Sequence, residues 1–77
     1  MTEESLQIEV LPVGTATVVS PLGDIDMSNS MQLRSTLHSV FKEDPTKVVL
    51  DLHHVSYMDS SGLGTLIEAV QLTNQTA

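Results

Sequence analysis

Two periodicities divide this chain. Residues 5–11 alternate, with Leu6, Ile8 and Val10 on one side and Gln7, Glu9 and Leu11 on the other, the period-2 pattern of a half-buried strand. Pro12-Val13-Gly14-Thr15 reads as a turn. Ala16 to Ser20, β-branched at Thr17, Val18 and Val19, predicts a second strand, and the short link predicts an antiparallel hairpin. Pro21 has no N–H for a ladder, so pairing is expected to weaken there. The helical period then takes over. Leu33, Leu37, Val40 and Phe41 recur at i, i+4, i+7 and i+8, which predicts a helix with Asp26 or Ser28 near its cap and Lys42 near its C-terminal end. Asp44-Pro45 should end it, because a residue before proline avoids the α region. Lys47 to Leu52 is an apolar, β-branched run short enough for a buried strand. Leu63, Leu66, Ile67 and Val70 share one face of a second helix, which fades into Thr73-Asn74-Gln75-Thr76-Ala77.

The order strand, helix, strand implies a right-handed parallel crossover. In such an arrangement strand-to-helix loops gather at the C-terminal edge of the sheet. Gly23–Asp26 should therefore lie beside Asp59–Gly62, with Asp24, Asp26 and Asp59 on one surface. Ser60 and Ser61 fall at a helix start, where free N–H groups and the positive dipole end favour an anion. A cap made by Asp59 or Ser60 accounts for the same residues without any binding role.

Composition narrows the functions. The 77 residues make one small domain with a net charge of −7, and Arg34, Lys42 and Lys47 are its only lysines and arginines. There is no basic stripe for phosphates and no aromatic platform for bases beyond Phe41 and Tyr57, which argues against nucleic acid. The acidic surface favours a basic protein partner and opposes anionic membranes. No cysteine is present, so no disulfide framework or thiolate metal site is expected. Met1 to Ser5 lacks a signal-peptide pattern, and no apolar run is long enough to span a bilayer. His53 and His54 point to opposite faces if the chain there is extended, and no further ligands accompany them, so no metal is expected. His38 reads as a solvated helix residue. Gly62-Leu63-Gly64 lacks the third glycine of a dinucleotide fingerprint, since Ile67 holds that place. Ser61 is in no nucleophile elbow, because Asp59 stands where glycine is needed. An enzyme and a cofactor are not expected.

Tyr57-Met58-Asp59-Ser60-Ser61-Gly62-Leu63-Gly64 resembles the signature of STAS domains (sulfate transporter and anti-sigma factor antagonist). Gly23-Asp24-Ile25-Asp26 is similar to that family's Gly-Glu-Leu-Asp after its second strand, with Asp at 24 where Glu is common. Val48-Val49-Leu50-Asp51-Leu52 is similar to its central strand. The resemblance spans essentially the whole chain and is strongest to bacterial anti-sigma factor antagonists. It implies an α/β fold: a β–α superhelix with an N-terminal antiparallel hairpin, then a parallel strand, with helices on one face. It also implies a C-terminally incomplete domain, because the family continues with two further strand–helix units.

The functional implication is a cytoplasmic, non-enzymatic regulator. Such antagonists bind an anti-sigma factor that is also a serine kinase, and so free the sigma factor. The kinase phosphorylates the position matching Ser60, and a serine phosphatase reverses this. Asp24, Asp26, Asp59, Ser61 and Gly62 would then meet the partner. The alternative is a STAS interaction module without a phosphorylation switch, a scaffold or transporter-associated subunit. With no further strand beside it, residues 47–52 would form an apolar sheet edge open to self-association.

Overall fold

The computed structural model describes residues 6–74. A hairpin is the first unit, built from β1 (Gln7–Val13) and β2 (Ala16–Leu22), antiparallel from Gln7↔Leu22 to Val13↔Ala16. The turn is tighter than the sequence suggests. Only Gly14-Thr15 joins the strands, and Pro12 and Val13 belong to β1. Gly14 supplies the positive φ, 62°, that such two-residue turns require. The alternation of β1 also fades: Leu6 is buried and Ile8 half-buried, but Val10, Leu11 and Val13 are exposed.

Helix α1 (Ser30–Lys42) then crosses to β3 (Lys47–Leu50), which pairs parallel with β2 from Ala16↔Lys47 to Val19↔Leu50. The strand order is β1-β2-β3. Pro21 weakens pairing on one side only. Its ladder with β1 continues through Pro21 and Leu22, and Pro21 itself is buried. Val19 accepts from the Asp51 N–H, so Pro21, two residues on, turns its nitrogen to the same side, where β3 pairing has already ended.

The core is Leu6, Val19, Ile25, Leu33, Leu37 and Val40, with Ile8, Phe41, Val48, Leu50, Val55, Met58, Leu66 and Ala69 packed around it. The apolar stripe read for α1 is thus its buried face. The Gln32 side chain bonds both backbone groups of Leu6, which fastens the start of the chain to α1. Asp44 ends the helix in a left-handed conformation, φ 57°, and its N–H reaches the Phe41 carbonyl.

Helix α2 runs over Ser60–Asn74. Its face toward the rest of the protein is Gly62 and Thr65, both buried, with Leu66 and Ala69 half-buried. Of the apolar face read from the sequence, Leu66 turns inward, while Leu63, Ile67 and Val70 are more than half exposed at 54, 52 and 58 %. Small residues let α2 sit close, so the larger apolar side chains are turned outward. Arg34 and Glu68 join α1 to α2 through two hydrogen bonds of 2.8 and 3.0 Å. His38 is not simply solvated: its Nε2 is buried 3.6 Å from the Glu68 carboxylate.

A groove of about 820 Å³ opens between the end of α1, β3 and α2, lined by Leu37, Phe41, Val48, Leu50, Leu66 and Val70 among others. No helix among the described residues is long and apolar enough to cross a membrane.

Candidate functional site

Two loops meet at the C-terminal end of β2 and β3. The first begins at Gly23, whose φ of 134° is open to glycine and strained for other residues. It carries Asp24, Ile25 and Asp26. The second runs from Tyr57 to Asp59. They are zipped together by backbone bonds: Ile25 N–H donates to the Tyr57 carbonyl at 3.0 Å, and Asp59 N–H to the Ile25 carbonyl at 3.1 Å. This makes an isolated parallel bridge, Ile25↔Met58, which extends the β2–β3 relation beyond the strands. Ile25 is fully buried and anchors both loops.

Asp59 caps α2. One of its oxygens accepts from the Ser61 N–H at 2.9 Å, the Ser61 hydroxyl at 2.6 Å and the Gly62 N–H at 3.3 Å. The Ser61 hydroxyl bond holds the Asp59 carboxyl below the usual carboxylate range. Burial opposes this, and the N–H groups of Gly62, Ser61 and Met27 reinforce it. The Met27 contact comes from the first loop, so the cap also ties the loops together. Ser61 is committed to the cap. Ser60, the first residue of α2, is exposed, and its hydroxyl bonds to none of the described residues.

A lowered carboxyl value in the folded state favours folding at pH above the unfolded aspartate value. That contribution is lost as pH falls through the lowered folded value. Asp59→Asn should therefore be less stable than the parent near neutral pH, with the difference shrinking in acid. Thermal melts of both chains across that range check this, and a pH-independent difference would contradict it.

The first loop has its own wiring. The Asp26 carboxylate accepts from the Ser28 N–H at 2.9 Å and the Ser28 hydroxyl at 2.6 Å. Neither Asp26 nor Ser28 caps α1. The cap position is Asn29, yet its side chain makes no cap bond. It turns back instead, accepting from the Asp26 N–H at 2.9 Å and donating to the Asp24 carbonyl at 3.0 Å. Asn29 is not among the candidate residues read from the sequence, and the one signal for it there is an Asx residue close after two others.

Asp24, Asp26, Asp59, Ser60, Ser61 and Gly62 thus share one end of the sheet. Their exposure differs: Asp24 and Ser60 are exposed, Asp26, Asp59 and Ser61 half-buried and bonded, and Gly62 buried. Gly62 has no free surface to offer. The two loops and the helix starts that follow them carry large exposed apolar groups: Met27 at 77 %, Met31 at 63 %, Tyr57 at 57 % and Leu63 at 54 %. His53 and His54 lie in a turn, not an extended segment, and their rings meet edge to face with centroids 4.9 Å apart. No group of three potential ligands suits a metal ion among the described residues.

The arrangement is an α/β domain with an acidic and apolar loop surface at one sheet end. A sequence profile of the STAS domain matches residues 7–77, and the chain belongs to the STAS family. The fold is similar to an anti-sigma factor antagonist from Mycobacterium paratuberculosis, at a TM-score of 0.83 and 29 % identity over 86 % of this chain and 56 % of that one. It is also similar to SpoIIAA, an anti-sigma factor antagonist, in its unphosphorylated form, at a TM-score of 0.65 and 24 % identity over 86 % of this chain and 60 % of that one. The phosphorylated form of Bacillus SpoIIAA, a cell fate determinant, gives a TM-score of 0.64 at 24 % identity. The two SpoIIAA likenesses are likenesses of fold. The chain spans 56 to 60 % of the length of these proteins.

Proposed function

We propose that this chain is an anti-sigma factor antagonist whose Ser60 end docks on an anti-sigma factor serine kinase and frees the sigma factor. Phosphorylation of Ser60 switches the contact off, and a serine phosphatase restores it. The protein works in the bacterial cytoplasm and catalyses nothing itself. The observation that carries this reading is the contrast between the two serines: Ser61 is locked into the Asp59 cap, while the Ser60 hydroxyl is exposed.

The surroundings support docking. Met27, Met31, Tyr57 and Leu63 offer exposed apolar area, and Asp24 and Asp26 offer negative charge to a basic partner. A phosphate on Ser60 adds about −1.5 to −2 charges to that surface. The first N–H groups of α2 and the dipole accommodate it without refolding. The new charge would then act on the contact and leave the fold in place. The test is incubation of the purified chain with a cognate anti-sigma factor kinase and ATP, followed by site mapping. Phosphate on Ser60 with loss of the complex is expected. A stable complex that takes up no phosphate would favour the STAS module without a switch.

A further inference from the structure

Asp24-Ile25-Asp26 continues the chain past β2 as a short extended segment. In an extended chain, neighbouring residues turn their backbone groups to opposite sides. Ile25 turns both of its groups to the second loop, its N–H to the Tyr57 carbonyl and its carbonyl to the Asp59 N–H. The Asp24 carbonyl and the Asp26 N–H therefore face the other way, toward the β1 side. The β1–β2 ladder has ended by then, at Gln7↔Leu22, and no strand among the described residues meets these two groups. One side chain does. Asn29 Nδ2 donates to the Asp24 carbonyl at 3.0 Å, and the Asp26 N–H donates to Asn29 Oδ1 at 2.9 Å. A primary amide carries a donor and an acceptor side by side, so it stands in for the peptide group of a neighbouring strand.

We propose that Asn29 is a positioning residue of the docking end: its amide holds Asp24-Ile25-Asp26 extended, and so sets where the Asp24 and Asp26 carboxylates meet the partner. The role rests on the reading that the Ser60 end docks on an anti-sigma factor kinase. Asn29 stands at the N-cap of α1, a place where an asparagine side chain ordinarily caps the helix, and here it makes no cap bond. The amide serves the loop instead. Alternation then fixes the side chains. Ile25 is fully buried, so Asp24 and Asp26 leave the segment on the opposite face, away from the core. The Ile25 bonds tie the segment along one side only, which leaves it free to twist about that bridge. The Asn29 bonds hold the other side and fix the spacing of the two carboxylates. Asp26 is braced further by Ser28, whose N–H and hydroxyl donate to its carboxylate. Asp24 is exposed, so its place depends on its backbone. No contact between Asn29 and the partner is required.

Asn29→Ser separates the two roles open to this position. Serine caps a helix about as well as asparagine, so the melting temperature should stay within a few degrees of the parent. Its hydroxyl lies one bond nearer the backbone and cannot span both loop groups. The substitution changes no charge, so any loss of affinity comes from placement. Amide hydrogen exchange read by NMR tests the bridge with no partner present. The Asp26 amide should exchange about tenfold or more faster in the variant, while the Ile25 and Asp59 amides keep their protection. Calorimetric titration against a cognate anti-sigma factor kinase tests the docking, and the dissociation constant should rise about tenfold. With Asp24 and Asp26 both replaced by asparagine, Asn29→Ser should cause no further loss, because no carboxylates remain to be placed. General loosening of the loop would weaken both backgrounds alike. An Asp26 amide that stays protected would overturn the bridge. A faster Asp26 amide with unchanged affinity would overturn the positioning role, as would an equal loss in the background without the two carboxylates. A parent chain that does not bind the kinase would sink the docking reading and the positioning role with it, and the exchange result would still decide the bridge.

Discussion

Gly62→Ala lowers the melting temperature, by up to about 15 °C, while Gly64→Ala, two residues along the same helix, raises it by a few degrees. The added methyl is the same, so the difference lies in what it meets. At Gly62 a Cβ would stand 2.6 Å from Met58 Cγ and 2.7 Å from Ile25 Cγ2. Met58 is half-buried and can give way in part. Ile25 is fully buried in the core and held to the second loop through both its N–H and its carbonyl, so it cannot. Relieving the clash must push α2 away from the bridge that joins the two loops. Overpacking of this kind costs about 1–3 kcal/mol. The gain from replacing glycine in a helix, about 1 kcal/mol, offsets only part of it. At Gly64 nothing lies within 4 Å, so that gain stands alone. One kcal/mol moves the midpoint by about 4–8 °C in a domain of this size. Equal melting temperatures for the two variants would show that α2 is free to shift, and that the close approach at Gly62 does not hold the site together.

Ser60→Ala abolishes phosphate incorporation and leaves partner binding intact, whereas Ser60→Asp weakens binding about tenfold or more without loss of fold. The first follows from the hydroxyl inventory of the site. Ser60 is exposed, and Ser61 donates its hydroxyl to Asp59 at 2.6 Å, so Ser61 is reachable only by breaking the cap. The second follows from electrostatics. A carboxylate at position 60 joins Asp24, Asp26 and Asp59 at one end of the sheet and repels whatever acidic groups the partner brings there. The start of α2 tolerates the charge, since an acidic group in the first turn of a helix is favoured. Calorimetric titration against the kinase, with melts as control, separates the two effects. Undiminished incorporation into Ser60→Ala would move the modification to Ser61, and would mean that the Asp59 cap opens readily.

Much of the fold and the address of the site were legible in the residues. The period-2 run of β1, the 3.6-residue period of α1 and the apolar run of β3 are local signals, and each element formed close to where its pattern lies. Local pattern plus parallel topology also put Asp24 and Asp26 beside Asp59, because strand-to-helix loops collect at one sheet edge. Three matters escaped. The cap of α1 is Asn29, since Asp26 and Ser28 satisfy each other, and that choice depends on how the loop folds back. β3 ends at Leu50 rather than Leu52, because the next nitrogen that β2 turns toward it belongs to Pro21, which has no N–H to donate.

The third matter is the orientation of α2. Periodicity established that Leu63, Leu66, Ile67 and Val70 share a helical face, and it could say no more than that. Which face meets the protein was decided by distance. The bridge between Ile25 and Met58 brings the start of α2 so close that only Gly62 fits, with Thr65, Leu66 and Ala69 following behind it. A hydrophobic pattern measures the preference of one helix for leaving water. Packing measures the room left by the others, and at this contact the smaller residues were the ones that fitted.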